Sequence, residues 1–280
     1  MSAPPLRAAC VQLNTRDDSA ANVRAAVDLV EAAADLGARL VALPETWVFK
    51  GEREGVVASA EAPDGPANGA LAKLAVRRGL WILAGSIYEP SPVSDRVYNT
   101  SALFGPDGAC RAVYRKLHLF DAVSGATVYR ESSYLAAGDD VVLADVDVPG
   151  GPSLRLGLSI CYDVRFPELY RTLALRGAQV LCVPAAFTAH TGAAHWEVLL
   201  RARAIENGCY VLAPDQVGEH LPGRSCFGHS MIVDPWGTVL AELTDEAPGV
   251  CVADLDLARL AEVRAQLTAL DHRRPELYAP

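Results

Sequence analysis

The stretch VEAAADLGARLVALPE, residues 30–45, passes from a helix-period segment through Gly37 into a short apolar run. Glycine commonly follows the last turn of a helix, and a run of about six Val, Leu and Ile residues is typical of a buried strand. The same pattern occurs in LAKLAVRRGLWILAGS (71–86), LYRTLALRGAQVLCVPAA (169–186) and LLRARAIENGCYVLAP (199–214). Four such helix-to-strand units predict a sheet covered by helices.

The order of the predicted elements occurs twice along the chain. The first copy has strands at 6–13, 39–43 and 80–87, helices at 19–36 and 66–78, and a hairpin turning at 106–108. The second has strands at 154–160, 179–183 and 209–213, helices at 167–176 and 193–207, and a hairpin turning at 235–237. We therefore predict a duplicated α/β fold, a four-layer αββα sandwich with two sheets face to face and helices outside. The alternative, one doubly wound parallel sheet, is disfavoured because it needs no hairpins.

A single domain is predicted over residues 1–280, because no Pro/Gly-rich or low-complexity linker divides the chain. A length of 280 residues is enough to enclose a substantial core without disulfide or metal support. Residues 255–280 are predicted to form a C-terminal helix, at 257–270, and an arm containing HRRPELY. We expect this arm to lie on the body of the protein or on a partner subunit.

Composition and charge exclude several classes of protein. The chain is 51% hydrophobic with a formal net charge of −9, and no apolar run approaches the roughly 20 residues of a membrane span. The acidic balance argues against nucleic acid or an anionic membrane as the main partner, because both bind clustered Lys and Arg. The beginning, MSAPPLRAACVQLN, lacks a basic segment followed by an apolar one, so we predict a cytoplasmic location.

The cysteines fall into two groups. Seven is an odd number, no CxxC occurs, and Cys10, Cys182, Cys209 and Cys251 lie in strand-like runs, so these four are predicted to be small buried residues. Cys161 instead lies between the run LRLGLSI and Pro167, a residue suited to the first turn of a helix. A cysteine at such a turn is expected to have a lowered pKa and an exposed sulfur.

Three reactive residues follow predicted strands directly: Glu45, Lys116 and Cys161. Sites in α/β sheets gather at the carboxyl ends of strands, so we expect these side chains to converge. The chain has three lysines, Lys50, Lys73 and Lys116, against 22 arginines. A lysine in YRKLHLF therefore favours a role for a compact ammonium group rather than a planar guanidinium.

Histidine chemistry is less favoured than this cluster. None of the six histidines has a sequence setting that selects it as the base of a Cys–His pair. His190 and His195 are five residues apart, which does not place two imidazoles on one helical face, and no third ligand follows. We therefore predict no metal and no other cofactor.

The segments LVALPET (40–46), YRKLHLF (114–120) and SICYDVRFPEL (159–169) resemble the three signature segments of the nitrilase superfamily of carbon–nitrogen hydrolases. The resemblance extends to AHWEVLLRARAIENGCYVLA (194–213) and GHSMIVDPWGTVLAE (228–242). It implies the αββα fold and a Glu–Lys–Cys triad of Glu45, Lys116 and Cys161. It also implies hydrolysis of a linear amide to a carboxylic acid and ammonia through a thioester, without a cofactor.

The resemblance implies further residues of the site. Glu131 matches a second glutamate beside the triad, expected to orient Lys116 and the substrate. The N–H of Tyr162 is expected to stabilise the oxyanion together with Lys116. Tyr162, Arg165, Phe187, Thr188 and His195 are expected to bind the substrate, and the segment 189–196 is expected to form part of the pocket wall. The alternative for Arg165 is a structural pairing with an acidic neighbour or a subunit.

The most similar branch contains the deaminated glutathione amidases and the ω-amidases. His195–Trp196, IVDPWG (232–237) and the terminal HRRPELY favour the former type, although Ala185 and Phe227 stand where serine and tyrosine are frequent. A substrate with carboxylates should meet a further cation, for which Arg130, Arg165 and Arg224 are candidates. Alternatives are an ω-amidase, an N-carbamoyl amine hydrolase, an aliphatic amidase, and a scaffold that has kept the fold. The resemblance also implies a homodimer.

Overall fold

The computed structural model describes residues 4–93, 95–124, 127–148, 150–151, 153–244 and 247–278. Its first half contains β1 (Leu6–Gln12), α1 (Ser19–Asp35), β2 (Leu40–Ala42), α2 (Arg53–Ala58), α3 (Pro66–Arg78), β3 (Trp81–Leu83), β4 (Ile87–Pro90), β5 (Val97–Phe104), β6 (Cys110–Arg115), β7 (Asp121–Ser124), β8 (Thr127–Arg130) and β9 (Leu143–Asp147). Its second half contains β10 (Ser153–Leu158), α4 (Pro167–Leu175), β11 (Val180–Cys182), α5 (Ala189–Asn207), β12 (Tyr210–Ala213), β13 (Val217–Leu221), β14 (Arg224–Phe227), β15 (Met231–Val233), β16 (Val239–Glu242), β17 (Gly249–Leu255), α6 (Leu257–Gln266) and α7 (Pro275–Tyr278).

The strands form two large sheets with matching order. One runs β17-β1-β2-β3-β5-β4, with β6 also paired to β5, and the other runs β16-β15-β12-β11-β10-β9. Within them β1, β2 and β3 pair in parallel, as do β10, β11 and β12. Each parallel core is followed by an antiparallel hairpin, β5–β6 in one sheet and β15–β16 in the other. The duplication predicted from the sequence is therefore confirmed.

The alternating sides of β1 show how the layers pack. Ala8 and Cys10 are buried in a core shared with the second sheet, whereas Ala9 and Val11 are buried in a core shared with α1 and α3. Successive side chains of a strand point to opposite faces, so the first sheet is covered on both. The second sheet is covered by α4 and α5 on its far face. The four-layer αββα sandwich is confirmed, and the single-sheet alternative is excluded.

The predicted glycine follows the last turn of the helix in all four helix-to-strand units. Gly37, Gly79, Gly177 and Gly208 all have positive φ angles, between 55° and 94°. These are left-handed conformations that glycine adopts without steric cost. The cysteine prediction also holds, because Cys10, Cys182, Cys209 and Cys251 are each at most 7% exposed.

Within the two copies, two element boundaries differ from the sequence prediction by more than two residues. The strand expected at 80–87 ends at Leu83, because the chain turns at Gly85, whose φ is 49°. A Cβ atom there would lie 2.0 Å from the Pro44 carbonyl oxygen, so the turn requires glycine. The helix expected at 193–207 begins four residues earlier, at Ala189, and therefore carries both His190 and His195.

The C-terminal region contains the predicted helix in shortened form. Leu260 and Val263 of α6 are buried against the body of the protein, and α6 ends at Gln266 rather than at residue 270. The arm continues to α7, in which no side chain is buried, while residues 279–280 of the predicted arm lie outside the described residues. In the part of the chain that the structure describes, no helix has the length and apolar character needed to cross a membrane.

Candidate active site

A cavity of about 310 Å³ opens where the two sheets meet at the ends of their parallel strands. Glu45, Glu131 and Cys161 line it, and Lys116 lies behind them with its side chain fully buried. Glu45 and Lys116 follow strands of the first sheet, and Cys161 follows β10 of the second. The convergence expected from the three strand ends is therefore what the structure has.

Glu45 is fixed by three hydrogen bonds to its carboxylate. Asn99 Nδ2 donates to Oε1 at 2.7 Å, Lys116 Nζ donates to the same oxygen at 2.9 Å, and the N–H of Ala186 donates to Oε2 at 2.8 Å. The next residue, Thr46, has a φ of 52°, and its N–H donates to Ser86 Oγ at 2.9 Å. The turn at Gly85 thus supports the backbone that aims Glu45.

Lys116 connects two carboxylates. It follows β6 directly, and its Nζ donates to Glu45 and to both oxygens of Glu131, at 3.1 Å and 2.9 Å. Glu131 begins a short 3₁₀ turn and is itself held by the N–H of Phe120 at 2.7 Å. The ammonium group therefore has a fixed position beside the cavity, as the role assigned to Glu131 requires.

Cys161 opens a 3₁₀ turn, Cys161–Arg165, with a φ of 48°. Non-glycine residues in this conformation are uncommon, and they concentrate at functional sites where surrounding contacts hold them. Here the N–H of Cys161 donates to the Pro184 carbonyl at 2.8 Å, two residues before Ala186, whose N–H binds the Glu45 carboxylate. The segment 184–186 therefore holds both the candidate nucleophile, Cys161, and the candidate base, Glu45.

Asp163 ties the cysteine turn to the strand that carries Lys116. Its buried carboxylate accepts from the N–H of Ile160 at 2.8 Å, the hydroxyl of Tyr114 at 2.6 Å and the N–H of His118 at 3.0 Å. The His118 ring nitrogen Nδ1 is 2.7 Å from the same carboxylate. Because Tyr114 and His118 flank Lys116, one carboxylate sets the relative positions of both sheets at the site.

The buried charges shift one another's pKa. Burial raises the pKa of Glu45, but the positive charges of Lys116 and Lys50 outweigh burial and hold it below its usual value. Burial lowers the pKa of Lys116, but Glu131 and Glu45 outweigh burial and hold it well above its usual value. The resting site therefore contains an ionised glutamate and an ionised lysine.

The thiol differs from the sequence expectation. Burial, followed by the negative charge of Glu45, raises the pKa of Cys161 well above its usual value, against the opposing effect of Lys116. The side chain is also only 9% exposed. The expectation of a lowered pKa and an exposed sulfur was wrong, because enclosure of the thiol beside a carboxylate outweighs its position at a helical turn.

This charge pattern predicts a flat pH profile. Glu45 stays ionised and Lys116 stays protonated across neutral pH, so we expect kcat/KM on an amide substrate to change little between about pH 6 and pH 9. Initial rates in constant-ionic-strength buffers measure it. A site that depended on prior formation of an ordinary thiolate would instead gain about tenfold per pH unit up to about pH 8.5. That rise would contradict the assignment.

Most of the remaining predicted residues line the cavity. Tyr162, Arg165, Phe187 and Thr188 all do so. The guanidinium of Arg165 lies 5.1 Å above the Phe187 ring, and Thr188 Oγ1 is 2.9 Å from Ser124 Oγ. The prediction that His195 binds the substrate was wrong, because His195 lies on the exposed face of α5, outside the cavity lining, with Nδ1 3.3 Å from an Arg165 nitrogen. Of the segment 189–196, Thr191 contributes to the lining.

Sequence reasoning missed several parts of this site. Lys50 lines the cavity, as do His220 and Leu221 of the β13–β14 hairpin, which lies outside the two large sheets. The three candidate cations named from the sequence, Arg130, Arg165 and Arg224, all line the cavity. The available signal was the scarcity of lysine, which distinguishes Lys50 as much as Lys116. Among the described residues, no group of three His, Cys, Asp or Glu side chains is arranged to hold a metal ion.

The αββα sandwich and the buried Glu–Lys–Cys cluster define a hydrolase of carbon–nitrogen bonds other than peptide bonds. Residues 7–265 match the model of the carbon–nitrogen hydrolase family. The chain belongs to this family, and the resemblance of its three signature segments is confirmed.

Three similar proteins place the chain within the family. It is 45% identical over 273 residues to the deaminated glutathione amidase of Synechocystis sp., a match that covers 96% of this chain and 98% of that protein. It is 39% identical to human omega-amidase NIT2, covering 98% of this chain and 96% of that one. The crystal structure of Saccharomyces cerevisiae Nit3, a member of branch 10 of the nitrilase superfamily, matches with a TM-score of 0.85 and 31% identity, covering 97% of both chains.

Proposed function

We propose that the protein is a deaminated glutathione amidase that works through a thioester on Cys161. The observation that carries the proposal is the placement of Cys161 beside Glu45 and Lys116, in a chain that matches such an amidase over nearly its full length. The cavity also contains cations suited to a substrate with carboxylates. The scissile bond is the amide between a 2-oxoglutaryl group and cysteinylglycine.

In the acylation step, Cys161 Sγ attacks the amide carbonyl while its proton passes to Glu45. Glu45 is ready to accept it, because its carboxylate is ionised in the resting site. Attack and proton transfer occur together, since the thiol is neutral beforehand. A sulfur–carbon bond forms and the carbonyl oxygen takes negative charge.

That charge is stabilised by two donors, the Lys116 ammonium and the N–H of Tyr162. Tyr162 is the second residue of the 3₁₀ turn, where the turn itself offers its N–H no carbonyl acceptor. Each donor aimed at a developing oxyanion contributes about 3–4 kcal/mol to transition-state stabilisation. Glu45 then protonates the departing nitrogen, the carbon–nitrogen bond breaks, and cysteinylglycine leaves.

In the deacylation step, water attacks the thioester and gives a proton to Glu45. The same donors stabilise the second oxyanion, the sulfur–carbon bond breaks, and Glu45 returns the proton to the sulfur. The products are 2-oxoglutarate and cysteinylglycine. With an unsubstituted amide, the leaving group is ammonia instead, which is the product that the family resemblance implies.

An ω-amidase is the second candidate, because the chain also resembles human omega-amidase NIT2 over nearly its full length. The two functions differ in leaving group, so a comparison of substrates separates them. We also propose, from the family resemblance and the sequence, that the protein is a cytoplasmic homodimer.

The test is the specificity of the purified enzyme for three amides: deaminated glutathione, 2-oxoglutaramate and pentanamide. We expect kcat/KM to be at least about tenfold higher for deaminated glutathione than for either of the others. Release of 2-oxoglutarate is measured for the first two substrates, and release of ammonia for pentanamide. A preference for 2-oxoglutaramate would favour the ω-amidase, and a preference for pentanamide would reject both candidates.

A further inference from the structure

Lys50 is a cation of the cavity that the mechanism above does not use. It lies five residues after Glu45, lines the cavity and is half-buried. Among the described residues, its ammonium group has no hydrogen-bond acceptor and no ion-pair partner. A half-buried ammonium without a carboxylate partner is uncommon, because removal from water is normally compensated by pairing.

Other cations around the cavity are engaged or exposed. Lys116 is held between two carboxylates. Arg53 donates to the Ser133 carbonyl at 3.0 Å, and Arg165 packs over the Phe187 ring. Arg130 is exposed at the end of β8. Lys50 is therefore better placed than these to receive a negative charge from a bound molecule.

The charge balance of the cavity points the same way. Glu45, Glu131 and Lys116 together carry a net charge of −1, which repels an entering carboxylate. Lys50 offsets that charge. Burial lowers the pKa of Lys50, but its electrostatic interactions with Cys226, Glu45 and Glu131 outweigh burial and raise it. The positive charge of Lys50 therefore favours binding of a substrate carboxylate on its side of the cavity.

Neutral polar groups and a second cation surround Lys50. Burial and the charges of Lys50 and Arg224 lower the pKa of His220 to about 2, so this ring is neutral. Tyr129 lines the same part of the cavity, and the Arg224 guanidinium lies 5.9 Å from the centre of its ring. The β13–β14 hairpin thus contributes an exposed cation and a neutral imidazole beside the half-buried ammonium of Lys50.

We propose that Lys50, assisted by Arg224, forms the subsite for the carboxylate at the acyl end of the substrate. This inference rests on the proposed function and specifies its substrate class: amides whose acyl chain ends in a carboxylate, with the amide carbon at Cys161 and the carboxylate at Lys50. The charge-assisted bond at Lys50 selects these over neutral amides of the same length.

The test measures binding to the Cys161→Ala protein, in which no thioester can form. Its two probes are glutaramate and pentanamide, which have the same carbon chain and differ in a terminal carboxylate against a methyl group. We expect the additional change Lys50→Met to raise the Kd for glutaramate about 10- to 100-fold and the Kd for pentanamide less than about threefold, both measured by titration calorimetry. Arg224→Gln should raise the Kd for glutaramate by a smaller factor.

Two further variants provide the controls. Lys73→Met removes an exposed lysine of α3 that does not line the cavity. This change should leave both Kd values unchanged. Lys50→Arg keeps the charge and should recover part of the glutaramate affinity. Equal weakening of both probes in Lys50→Met would indicate a structural role and overturn the subsite, and so would an unchanged glutaramate Kd.

Failure of the proposed function remains distinguishable from failure of the subsite. The binding measurement does not depend on turnover of deaminated glutathione. If the wild type prefers another amide but Lys50→Met still weakens glutaramate selectively, the substrate assignment fails and the subsite stands. If the wild type prefers deaminated glutathione, and the added Lys50→Met change leaves both Kd values equal to those of the Cys161→Ala protein, the subsite fails and the function stands.

Discussion

Replacing Cys161 with alanine will reduce amide hydrolysis by at least about 10,000-fold, because no other group of the site can form the thioester. The change removes one sulfur atom from a small side chain at a strand end, so the loss of packing is about 1 kcal/mol and the fold is retained. Initial rates on deaminated glutathione measure the first effect, and the melting temperature measures the second.

Cys182→Ala is the matched control. Cys182 is fully buried in β11 and contributes to packing alone, so its replacement should lower the melting temperature to a similar or greater extent while turnover is retained. A Cys161→Ala protein that kept even a tenth of wild-type turnover would contradict the nucleophile assignment.

Replacing Lys116 has the second largest expected effect. Lys116→Arg and Lys116→Met should each lower kcat by about 100- to 1,000-fold or more, because the planar guanidinium and the thioether cannot replace a compact charge at the oxyanion. Near-wild-type turnover of Lys116→Arg would remove Lys116 from this role. Initial rates at saturating substrate measure the loss.

Stability has to be separated from chemistry in these variants. Removing Lys116 leaves the Glu45 and Glu131 carboxylates without their shared cation, which costs about 3–5 kcal/mol in a buried pair. The double variant Lys116→Met/Glu131→Gln restores the original net charge of this cluster. We expect it to melt closer to the wild type than Lys116→Met and to be equally inactive, whereas recovered activity would assign the loss to misfolding.

The sequence predicts much of this fold because the signals that end helices and begin strands are local. Gly37 and Gly177 end helices in equivalent positions of the two copies, and the apolar runs after them are short enough to be strands and too short to be helices. Such signals depend on backbone conformation and burial at neighbouring residues, so they are visible in a few residues at a time. The convergence of Glu45, Lys116 and Cys161 follows from the topology those signals define.

Features that depend on contacts between distant residues were not predictable in the same way. The break of the strand at Gly85 reflects the approach of the carbonyl of Pro44, a residue distant in the sequence. The raised pKa of Cys161 reflects enclosure beside Glu45, which no local pattern expresses. Lys50 gains its setting from a hairpin that begins at Val217, so its residue type was visible but its neighbours were not.

The charges of the site together set the protonation states of Glu45 and Cys161. Lys116 and Lys50 keep Glu45 ionised, and burial together with the charge of Glu45 keeps the Cys161 thiol neutral until a carbonyl group is present. The enzyme therefore avoids carrying a free thiolate, which is the form of cysteine most open to oxidation. Reactivity is confined to the moment at which substrate, base and oxyanion donors meet.

The central claim is that an acyl group is transferred to Cys161, and the mass of the enzyme during turnover tests it most directly. Wild-type protein is mixed with deaminated glutathione, quenched in acid at short times during turnover, digested and analysed by mass spectrometry. We predict a 2-oxoglutaryl adduct on the peptide that contains Cys161, absent from Cys161→Ala. An adduct on a different cysteine, or hydrolysis without any adduct in wild-type enzyme quenched at the same times, would contradict it.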